Sequence, residues 1–420
     1  MFKTTDDFKK NDTVEVLDSI MGSHKTTKIL EWMDDNPNVK YIYVSPLLTE
    51  VEEGGRIHTN LKKVSFETPT NDNGSKSDSF LELLKEGNNV ACTHSLYLGM
   101  TSEHFNLIAK HGYTVIIDEE LDVIESFDKY SISDLEWLYD NGIVGISEVD
   151  GMVSWIGDRN LINESHKYYT LLCYCDAKAL YTAKRSNSMM VTQLPVRLFE
   201  CARRVIILTY MFKGNILDSF LKLKGIKSVP FTEVEVVSKS KSNIRNLITL
   251  IPPNSKLINY SMSSSWYKNK ATSTNISDIS KYIRNTCVSL KCEAVDVAWC
   301  VPKDRVVKTN RSNKSLIAPK GYTKTSGGEH CYLSAMMRAT NLYRHKKVMI
   351  HCYDRYPHIS VTSYLQDFGV AVDNQVFALS ELLQWAWRGC IRADEPMTLA
   401  IGSKRMYHLF EEWLEKEDEI

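Results

Sequence analysis

The chain has 420 residues, of which 43% are hydrophobic and 25% charged, and its formal net charge is −1. This length favours two domains of roughly 200 residues each, and no apolar run approaches the roughly 18 residues of a membrane-spanning helix. The near-zero charge gives no overall attraction to nucleic acid. The ten cysteines show no Cys-x-x-Cys spacing, which favours reduced thiols in a cytoplasm over a disulfide framework or a zinc site.

The first half of the chain alternates predicted strands with predicted helices. Strands are predicted at residues 13–17 and 39–44, and a helix from about Lys25 to Asp35. The apolar runs at residues 113–117 and 205–210 are typical of buried parallel strands. Strands that alternate with helices predict an α/β fold with a mainly parallel sheet.

A polar stretch rich in Ser and Lys, Val229–Asn243, is the best candidate for a linker between domains. We therefore predict one domain over residues 1–235 and a second over residues 236–420. The second domain repeats the alternation of strands and helices and includes a predicted helix from about Ser380 to Arg392.

A loop of six residues, Gly22-Ser23-His24-Lys25-Thr26-Thr27, lies between the first predicted strand and the first predicted helix. The start of a helix offers unpaired N–H groups and a positive dipole end, which bind phosphates. In such a loop Lys25 reaches the β- and γ-phosphates of a nucleoside triphosphate, and Thr26 ligates Mg²⁺. The pattern G-x-x-x-x-G-K-[ST] is broken at both glycines, by Ser19 and by His24. The His24 side chain either crowds the phosphates or donates a hydrogen bond to them.

Two carboxylates, Asp118 and Glu119, follow the apolar run at residues 113–117. They are expected at the carboxyl edge of the sheet, where open α/β folds bind ligands. Asp118 can hold the Mg²⁺ shell while Glu119 polarises the attacking water. The alternative is an ordinary acidic start of a helix.

Gln384, Arg388 and Arg392 recur at intervals of four on the predicted helix near the end of the chain, and hence on one face. Arginines one turn apart suit the γ-phosphate, where negative charge grows in the transition state. The alternative is a basic surface stripe.

A basic stretch runs from Pro302 to Val348, with only Asp304 and Glu329 as acidic residues. It is either a solvated loop or a track for a phosphate backbone. Its basic residues are Lys303, Arg305, Lys308, Arg311, Lys314, Lys320, Lys324, Arg338, Arg344, Lys346 and Lys347.

These ordered segments resemble the motifs of superfamily 2 DEAD/DEAH-type helicases. The closest resemblance is to phage- and prophage-encoded replication helicases, which are distantly similar to the herpesvirus origin-binding helicases. The segments that carry it are Asp18–Thr26 for the phosphate loop (D-S-I-M-G-S-G-K-T in the family), Tyr43–Val51 for motif Ia, Thr93–Leu96 for Ib, Ile207–Tyr210 for III, Asn259–Tyr267 for IV, Arg338–Asn341 for V and Ala378–Arg392 for VI. His24 and the R-x-x-x-R spacing of the arginines depart from the family pattern.

The resemblance implies two tandem RecA-like domains that bind ATP and Mg²⁺ between them, with Gly22 to Thr27 and Gln384 on the nucleotide. It also implies backbone contacts to a bound strand, and the matching residues are Ser45, Pro46, Thr93, His94, Ser263, Arg338, Thr340 and Asn341. The alternative for the Ser and Thr residues is turn and cap chemistry, and for His94 a packed or capping role. The sequence shows no obvious accessory domain that would separate strands.

The resulting functional hypothesis is an ATP hydrolase coupled to translocation or unwinding, acting on single-stranded or forked DNA in phage replication in the bacterial host cytoplasm. RNA and other replication proteins are further candidate partners. The competing hypothesis is a nucleic-acid-binding replication or recruitment factor with a weak or lost ATPase, and it is motivated by His24.

Overall fold

The computed structural model describes residues 10–72, 74–184, 186–236, 241–306, 315–337 and 342–416. All ten cysteines lie in these ranges as free thiols. The strands of the described chain are β1 Thr13–Asp18, β2 Tyr41–Ser45, β3 Val90–Thr93, β4 Thr114–Asp118, β5 Ile124–Ser126, β6 Val144–Ile146, β7 Val153–Trp155, β8 Leu180–Ala183, β9 Ser186–Gln193, β10 Arg204–Thr209, β11 Lys227–Pro230, β12 Ile248–Ile251, β13 Val297–Cys300, β14 Val348–His351 and β15 Met397–Ile401.

The helices of the same ranges are α1 Lys25–Asp35, α2 Leu48–Val51, α3 Arg56–Asn60, α4 Lys76–Glu86, α5 His94–Leu98, α6 Ser102–His111, α7 Ile132–Asp140, α8 Tyr169–Asp176, α9 Arg197–Glu200, α10 Ile216–Leu223, α11 Lys241–Leu247, α12 Ser264–Asn269, α13 Ser273–Ser289, α14 Ile359–Asp367, α15 Asn374–Ala386 and α16 Lys404–Glu415. Short 3₁₀ turns occur at Arg159–Leu161, Leu257–Asn259, Ala294–Asp296, Lys303–Arg305 and Cys390–Ala393.

The chain divides into two compact units. The first contains Met1–Ser19, Lys25–Glu235 and Pro357–Asp373, and the second contains Ile20–His24, Val236–Tyr356 and Asn374–Ile420. The chain passes from one unit to the other between Glu235 and Val236, but each unit is discontinuous in the chain. In particular, the segment with α14 belongs to the first unit although it lies far beyond residue 235.

The first unit is built on a six-stranded parallel sheet in the order β11-β1-β10-β4-β2-β3. Its central strands are mainly apolar because both faces are covered, and β2 and β4 are buried at every position. Helix α1 packs an apolar face that includes Ile29, Leu30 and Met33. The predicted linker is wrong over its first residues, since β11 pairs with β1. This edge strand is mostly exposed, so it lacks the apolar pattern of a strand.

A segment inserted between β4 and β10 of the first unit has no counterpart among the sequence predictions. It forms the antiparallel sheet β5-β9-β8 and the hairpin β6-β7, with helices α7 and α8. A small core of its own includes Leu135, Leu138 and Leu171. Helix α14 packs against it, and the Tyr364 hydroxyl donates to the carbonyl of Asp150 at 2.9 Å.

The second unit is built on a four-stranded parallel sheet in the order β12-β15-β14-β13. The longest helix of the described chain, α13, buries Ile276, Ile279 and Ile283 at helical spacing. Helix α16 begins after Ser403, whose hydroxyl accepts the N–H of Met406 at 3.3 Å. Two α/β units with parallel sheets are thus present, as the alternation of elements predicts.

Candidate functional site at the carboxyl edge of the first sheet

Five neighbouring parallel strands of the first unit end on polar residues at the same edge of the sheet. Strand β1 ends at Asp18, β10 at Thr209, β4 at Asp118, β2 at Ser45 and β3 at Thr93. The apolar residues that precede these strand ends are largely buried, so each polar end residue lies directly beside the core. This edge is where open parallel sheets bind ligands.

The predicted phosphate loop has the backbone conformation of a turn rich in glycine. Gly22 has φ of 81°, and His24, at the position of the missing glycine, also has a left-handed φ of 61°. Ser23 is buried, and its N–H donates to the carbonyl of Ile20 at 3.3 Å. His24 therefore keeps a conformation that glycine adopts without strain.

Lys25 and Thr26 are the first two residues of α1, and Thr27 follows them on the same turn. The Lys25 ammonium donates to the carbonyl of Ser19, which holds the side chain back against the end of β1. The Thr26 hydroxyl donates to Oδ2 of Asp118 at 3.1 Å. The helix start and the end of β4 are thus in direct contact, as a site for phosphate and metal requires.

Asp118 joins several side chains at this edge. Besides Thr26, its Oδ2 accepts a hydrogen bond from the Tyr43 hydroxyl at 2.7 Å and lies 3.6 Å from Nη2 of Arg56. Burial, reinforced by the Asp118 charge, raises the pKa of Tyr43 well above its ordinary value, so Tyr43 stays a neutral donor. Neither Tyr43 nor Arg56 was predicted as a site residue, because no sequence motif gives either of them a chemical role.

The two residues after Asp118 differ in their contacts. Glu119 has a left-handed φ of 65°, and its N–H donates to the carbonyl of Leu208 at 3.0 Å. Glu120 accepts a hydrogen bond from Thr209 Oγ1 at 2.9 Å, which joins the ends of β4 and β10. A non-glycine residue with positive φ is strained, and such strain is common at functional sites. Glu119 is therefore set in a special backbone geometry beside Asp118.

Asp18 is a carboxylate of this edge to which the sequence assigned no role. It accepts the N–H groups of Met211 at 2.8 Å and Phe212 at 3.0 Å, and so fixes the turn after β10. Burial raises the pKa of Asp18 above its usual value, while these two hydrogen bonds and the charge of Lys25 act in the opposite direction. Its position at the end of β1 is the sequence feature that could have identified Asp18 as a residue of this edge.

The predicted strand contacts of the first unit take part in local structure. Ser45 is fully buried, donates to Oε2 of Glu50 at 3.0 Å and accepts the N–H of Leu47. Thr93 caps α5, and the His94 ring nitrogen Nε2 hydrogen-bonds the carbonyl of Asp118 at 2.8 Å. Pro46 alone of these four residues has neither a cap nor such a bond and is partly exposed. These contacts are the turn and cap chemistry that the sequence left open as the alternative.

The arginine segment of the second unit departs from its prediction. Helix α15 ends at Ala386, and Arg392 lies in the 3₁₀ turn that follows. Gln384, Arg388 and Arg392 therefore do not share the face of one helix, and that prediction is wrong. The reason is Gly389, where a Cβ would lie 3.0 Å from the Lys346 carbonyl oxygen and 2.8 Å from the Met397 sulfur. The chain turns there so that the N–H of Cys390 donates to the same carbonyl.

The two arginines also differ in accessibility. Arg388 is only 4% exposed, whereas Arg392 and Gln384 are partly exposed. A buried guanidinium contributes to the fold as well as to any ligand contact. Arg392 is consequently the better placed of the two to meet a ligand from solvent.

Of the predicted strand contacts in the second unit, the structure describes Ser263. It caps α12 by accepting the N–H of Trp266 at 3.2 Å. Trp266 is partly exposed and stacks on Tyr260 with 5.4 Å between ring centroids. Arg338, Thr340 and Asn341 lie outside the described residues.

The basic stretch after Pro302 is not a uniform track. Arg305 is 3% exposed and donates to the carbonyls of Tyr267 and Ser315, and Lys346 is buried with a 2.7 Å bond to the carbonyl of Val295. Both are therefore structural. The exposed basic residues in the described part of the stretch are Lys303, Lys320, Lys324, Arg344 and Lys347. Lys308, Arg311, Lys314 and Arg338 lie outside the described residues.

The donor set at the edge suits a hard cation. Thr26 Oγ1 and Asp118 Oδ2 are adjacent oxygens, and Mg²⁺ is commonly held by one or two protein oxygens together with water and phosphate. Among the described residues no three His, Cys, Asp or Glu side chains form a metal-binding cluster, and no helix is long and apolar enough to cross a membrane.

Comparison with known proteins finds a family model that matches part of the chain and a relative that matches nearly all of it. Residues 242–414 match the family model described as the YonV C-terminal Rossmann-like domain. The chain is 28% identical over 432 residues to the SPbeta prophage-derived uncharacterized protein YonV of Bacillus subtilis (strain 168), covering 97% of this chain and all of that protein.

Among solved structures, apo XPD superposes with a TM-score of 0.55 at 12% identity, covering 96% of this chain and 95% of XPD. S. tokodaii Xpd4 covers 96% of this chain and 94% of its own, with a TM-score of 0.49 and 12% identity. The predicted α/β class with two tandem RecA-like domains is confirmed. The likeness to apo XPD is one of fold, and the resemblance to superfamily 2 helicases, including that to phage replication helicases, stays a prediction.

Proposed function

We propose that the chain is an ATP-dependent helicase or translocase that acts on DNA during phage replication in the bacterial cytoplasm. The observation that carries this proposal is the 3.1 Å contact between Thr26 and Asp118, residues 92 positions apart in the chain. Lys25 opens the same helix, and Asp118 ends one of five neighbouring parallel strands that finish on polar residues at one edge of the sheet. The likeness in fold to XPD and the relation to a prophage protein are consistent with this function.

In this proposal each residue of the edge has a defined task. Lys25 binds the β- and γ-phosphates of ATP, since it supplies the permanent positive charge of the loop. Thr26 and Asp118 would hold Mg²⁺, which supplies charge neutralisation of the phosphates when bound. Glu119 orients the attacking water. The loop residues Gly22, Ser23, His24 and Thr27 give backbone and side-chain donors to the phosphates.

The arginines stabilise charge that develops as the terminal phosphate is transferred, with Arg392 the more accessible of the pair. Gln384 contributes to nucleotide binding. The partner is single-stranded or forked DNA, and RNA and other replication proteins are further candidates. The partly exposed Pro46 and Trp266, and the exposed lysines of the basic stretch, offer contacts to such a strand.

A second candidate function is a nucleic-acid-binding replication or recruitment factor with little or no hydrolysis. One observation favours it: the strained, left-handed backbone of His24 carries a Cβ and a ring where the loop pattern has glycine. Against it stand Lys25, Thr26, Asp118 and Glu119, all of which are retained.

Steady-state ATP hydrolysis by the full chain with Mg²⁺, measured with and without single-stranded DNA, distinguishes these functions. The proposal predicts hydrolysis that rises when DNA is added. DNA binding without hydrolysis would establish the second function instead. A chain that neither hydrolyses ATP nor binds nucleic acid would rule out both.

A further inference from the structure

A continuous series of polar contacts connects the end of β2 to the end of its neighbour β4 in the first unit. Ser45 donates to Oε2 of Glu50 at 3.0 Å, and Oε1 of Glu50 lies 2.9 Å from Nη2 of Arg56. The same Nη2 lies 3.6 Å from Oδ2 of Asp118, which in turn accepts the Thr26 hydroxyl. The segment resembling a strand-binding motif is thus connected to the carboxylate of the proposed ATP site.

The local sequence is built to place Arg56 in this position. Gly55 precedes it, and a Cβ on Gly55 would lie 2.7 Å from the carbonyl oxygens of both Thr49 and Glu50. Only glycine therefore allows α3 to start so close to α2. Burial by itself lowers the pKa of Arg56, but the neighbouring carboxylates of Glu50 and Asp118 raise the pKa above its ordinary value, so the guanidinium stays charged.

The two carboxylate contacts of Arg56 are unequal. The distance to Glu50 is that of a charge-assisted hydrogen bond, whereas the distance to Asp118 exceeds hydrogen-bonding range and leaves a charge attraction alone. Asp118 keeps Tyr43 and Thr26 on the same oxygen, so it holds its place if Arg56 moves. Movement of Arg56 would therefore change the electrostatic environment of Asp118 and leave the position of the Asp118 carboxylate largely unchanged.

Arg56 is also more exposed to solvent than Ser45, Glu50 or Asp118. Its side chain is 35% exposed, against 19% for Glu50 and 13% for Asp118, and Ser45 is fully buried. A phosphate of a bound strand can therefore meet the guanidinium but not Ser45. Arginine presents five N–H donors, so it can bind a phosphate and keep its bond to Glu50.

We propose that Arg56, anchored by Glu50, senses the phosphate backbone of a bound strand and relays its presence to Asp118. Without nucleic acid, Arg56 partly neutralises Asp118 and so weakens its hold on Mg²⁺. A phosphate on the guanidinium draws that charge away, and Asp118 then binds the cation more tightly, which raises hydrolysis. This inference rests on the proposed function and makes Arg56 a positioning residue that acts through Asp118.

The test compares ATP hydrolysis by the full chain and by variants, with and without a saturating thymidine oligonucleotide, over a range of Mg²⁺ concentrations. Arg56→Gln should raise basal hydrolysis severalfold, lower the Mg²⁺ concentration for half-maximal rate and bring the DNA-stimulated-to-basal ratio close to one. Glu50→Gln should act in the opposite direction on basal hydrolysis, because a released Arg56 pairs more closely with Asp118. Arg56→Lys, which keeps the charge, should retain part of the stimulation.

Lys63→Gln is the matched control, since it removes an exposed positive charge from the same part of the unit, paired only loosely with Asp35 at 3.7 Å. It should keep the basal rate, the Mg²⁺ dependence and the stimulation ratio at saturating DNA. Thermal unfolding of each variant separates these effects from loss of the fold.

A wild-type stimulation ratio and Mg²⁺ dependence in both Arg56→Gln and Glu50→Gln would overturn the relay while leaving the proposed function intact. Hydrolysis by the wild type that DNA does not stimulate would also overturn it, because no coupling would then exist to transmit. Absence of any wild-type hydrolysis would instead remove the proposed function itself.

Discussion

The carboxyl edge of the first sheet and the arginine segment of the second unit were both singled out from motifs, yet they behave differently. At the sheet edge Thr26 and Asp118 meet as the strand and helix pattern implies. In the arginine segment the pattern implied one helical face, but α15 ends at Ala386, so Gln384 lies within the helix and both arginines lie beyond it. Side chains at strand ends are placed by the sheet itself, whereas those after a helix depend on where that helix stops.

The difference shows which structural features can be read from a sequence and which depend on tertiary contacts. Parallel register brings the ends of β4 and β10 to one edge whatever lies between them, since Leu208 pairs with Asp118. The end of α15 is decided by a close approach of Gly389 to the carbonyl of Lys346, a residue 43 positions earlier in the chain. A tertiary interaction of that kind overrides helical periodicity.

The largest effect is expected at the sheet edge, from Lys25→Ala. Loss of the loop's ammonium should reduce ATP hydrolysis by at least about 10³-fold, because the charge stabilises both bound phosphate and the transition state. Lys28→Ala is the control on the same helix, where the lysine pairs with Glu31 at 2.8 Å on the surface. It should keep activity, and circular dichroism should show both variants folded. Unchanged turnover in Lys25→Ala would remove the phosphate-loop assignment.

The same comparison shows which elements and site residues can be predicted from the sequence. The apolar runs located β4 and β10 to within a residue, and helix α1 has the predicted bounds Lys25–Asp35. The exposed edge strand β11 and the insert with β5 to β9 were missed, because short or half-exposed strands lack a clear apolar period. Tyr43 and Arg56 were missed because their interactions with the site come from tertiary structure alone. Asp18 was missed although it directly follows a predicted strand.

The arginine segment provides the next prediction. Arg392→Ala should lower kcat by roughly 10²-fold with a smaller change in nucleotide affinity, since its interaction with the phosphate strengthens in the transition state. Its free energy of unfolding should change little because Arg392 is partly exposed. Arg388→Ala should also lower the free energy of unfolding by about 3 kcal/mol, because the buried side chain leaves a cavity and unpaired polar groups.

Arg284→Ala is the control for this pair, since Arg284 is exposed on α13 and bonds only weakly to the neighbouring Asn285. It should leave kcat and stability near wild type. Equal losses of affinity and turnover in Arg392→Ala would indicate ground-state binding. Full activity of that variant would make the segment a basic surface feature.

A smaller effect is expected in the basic stretch, where exposed and buried residues can be set against each other. Replacing exposed Lys303, Lys320 and Lys324 together by Gln should weaken DNA binding and reduce its salt dependence. The slope of the logarithm of the binding constant against the logarithm of the salt concentration should fall by about 0.7 for each phosphate of a single strand that is no longer neutralised. Arg305→Gln should destabilise the fold and leave that slope alone, because Arg305 is buried on carbonyl groups. An unaltered slope in the triple variant would place the strand elsewhere.

The smallest effect is expected from His24→Gly, which restores the glycine of the loop pattern. A left-handed backbone conformation costs a non-glycine residue about 1–2 kcal/mol, and His24 has this conformation. Glycine relieves that strain but makes the unfolded chain more flexible, which offsets roughly half of the gain. The free energy of unfolding should therefore rise by about 1 kcal/mol or less. Lys291→Gly is the matched control, because Lys291 has a similar φ of 51° beyond the end of α13. Both variants should shift the thermal unfolding temperature by a similar amount, and only His24→Gly should change ATP binding.

If His24 donates a hydrogen bond to phosphate, His24→Gly should keep hydrolysis within a few-fold of wild type. Hydrolysis that appears only in His24→Gly would show that the imidazole blocks the site, and the second function would then replace the first.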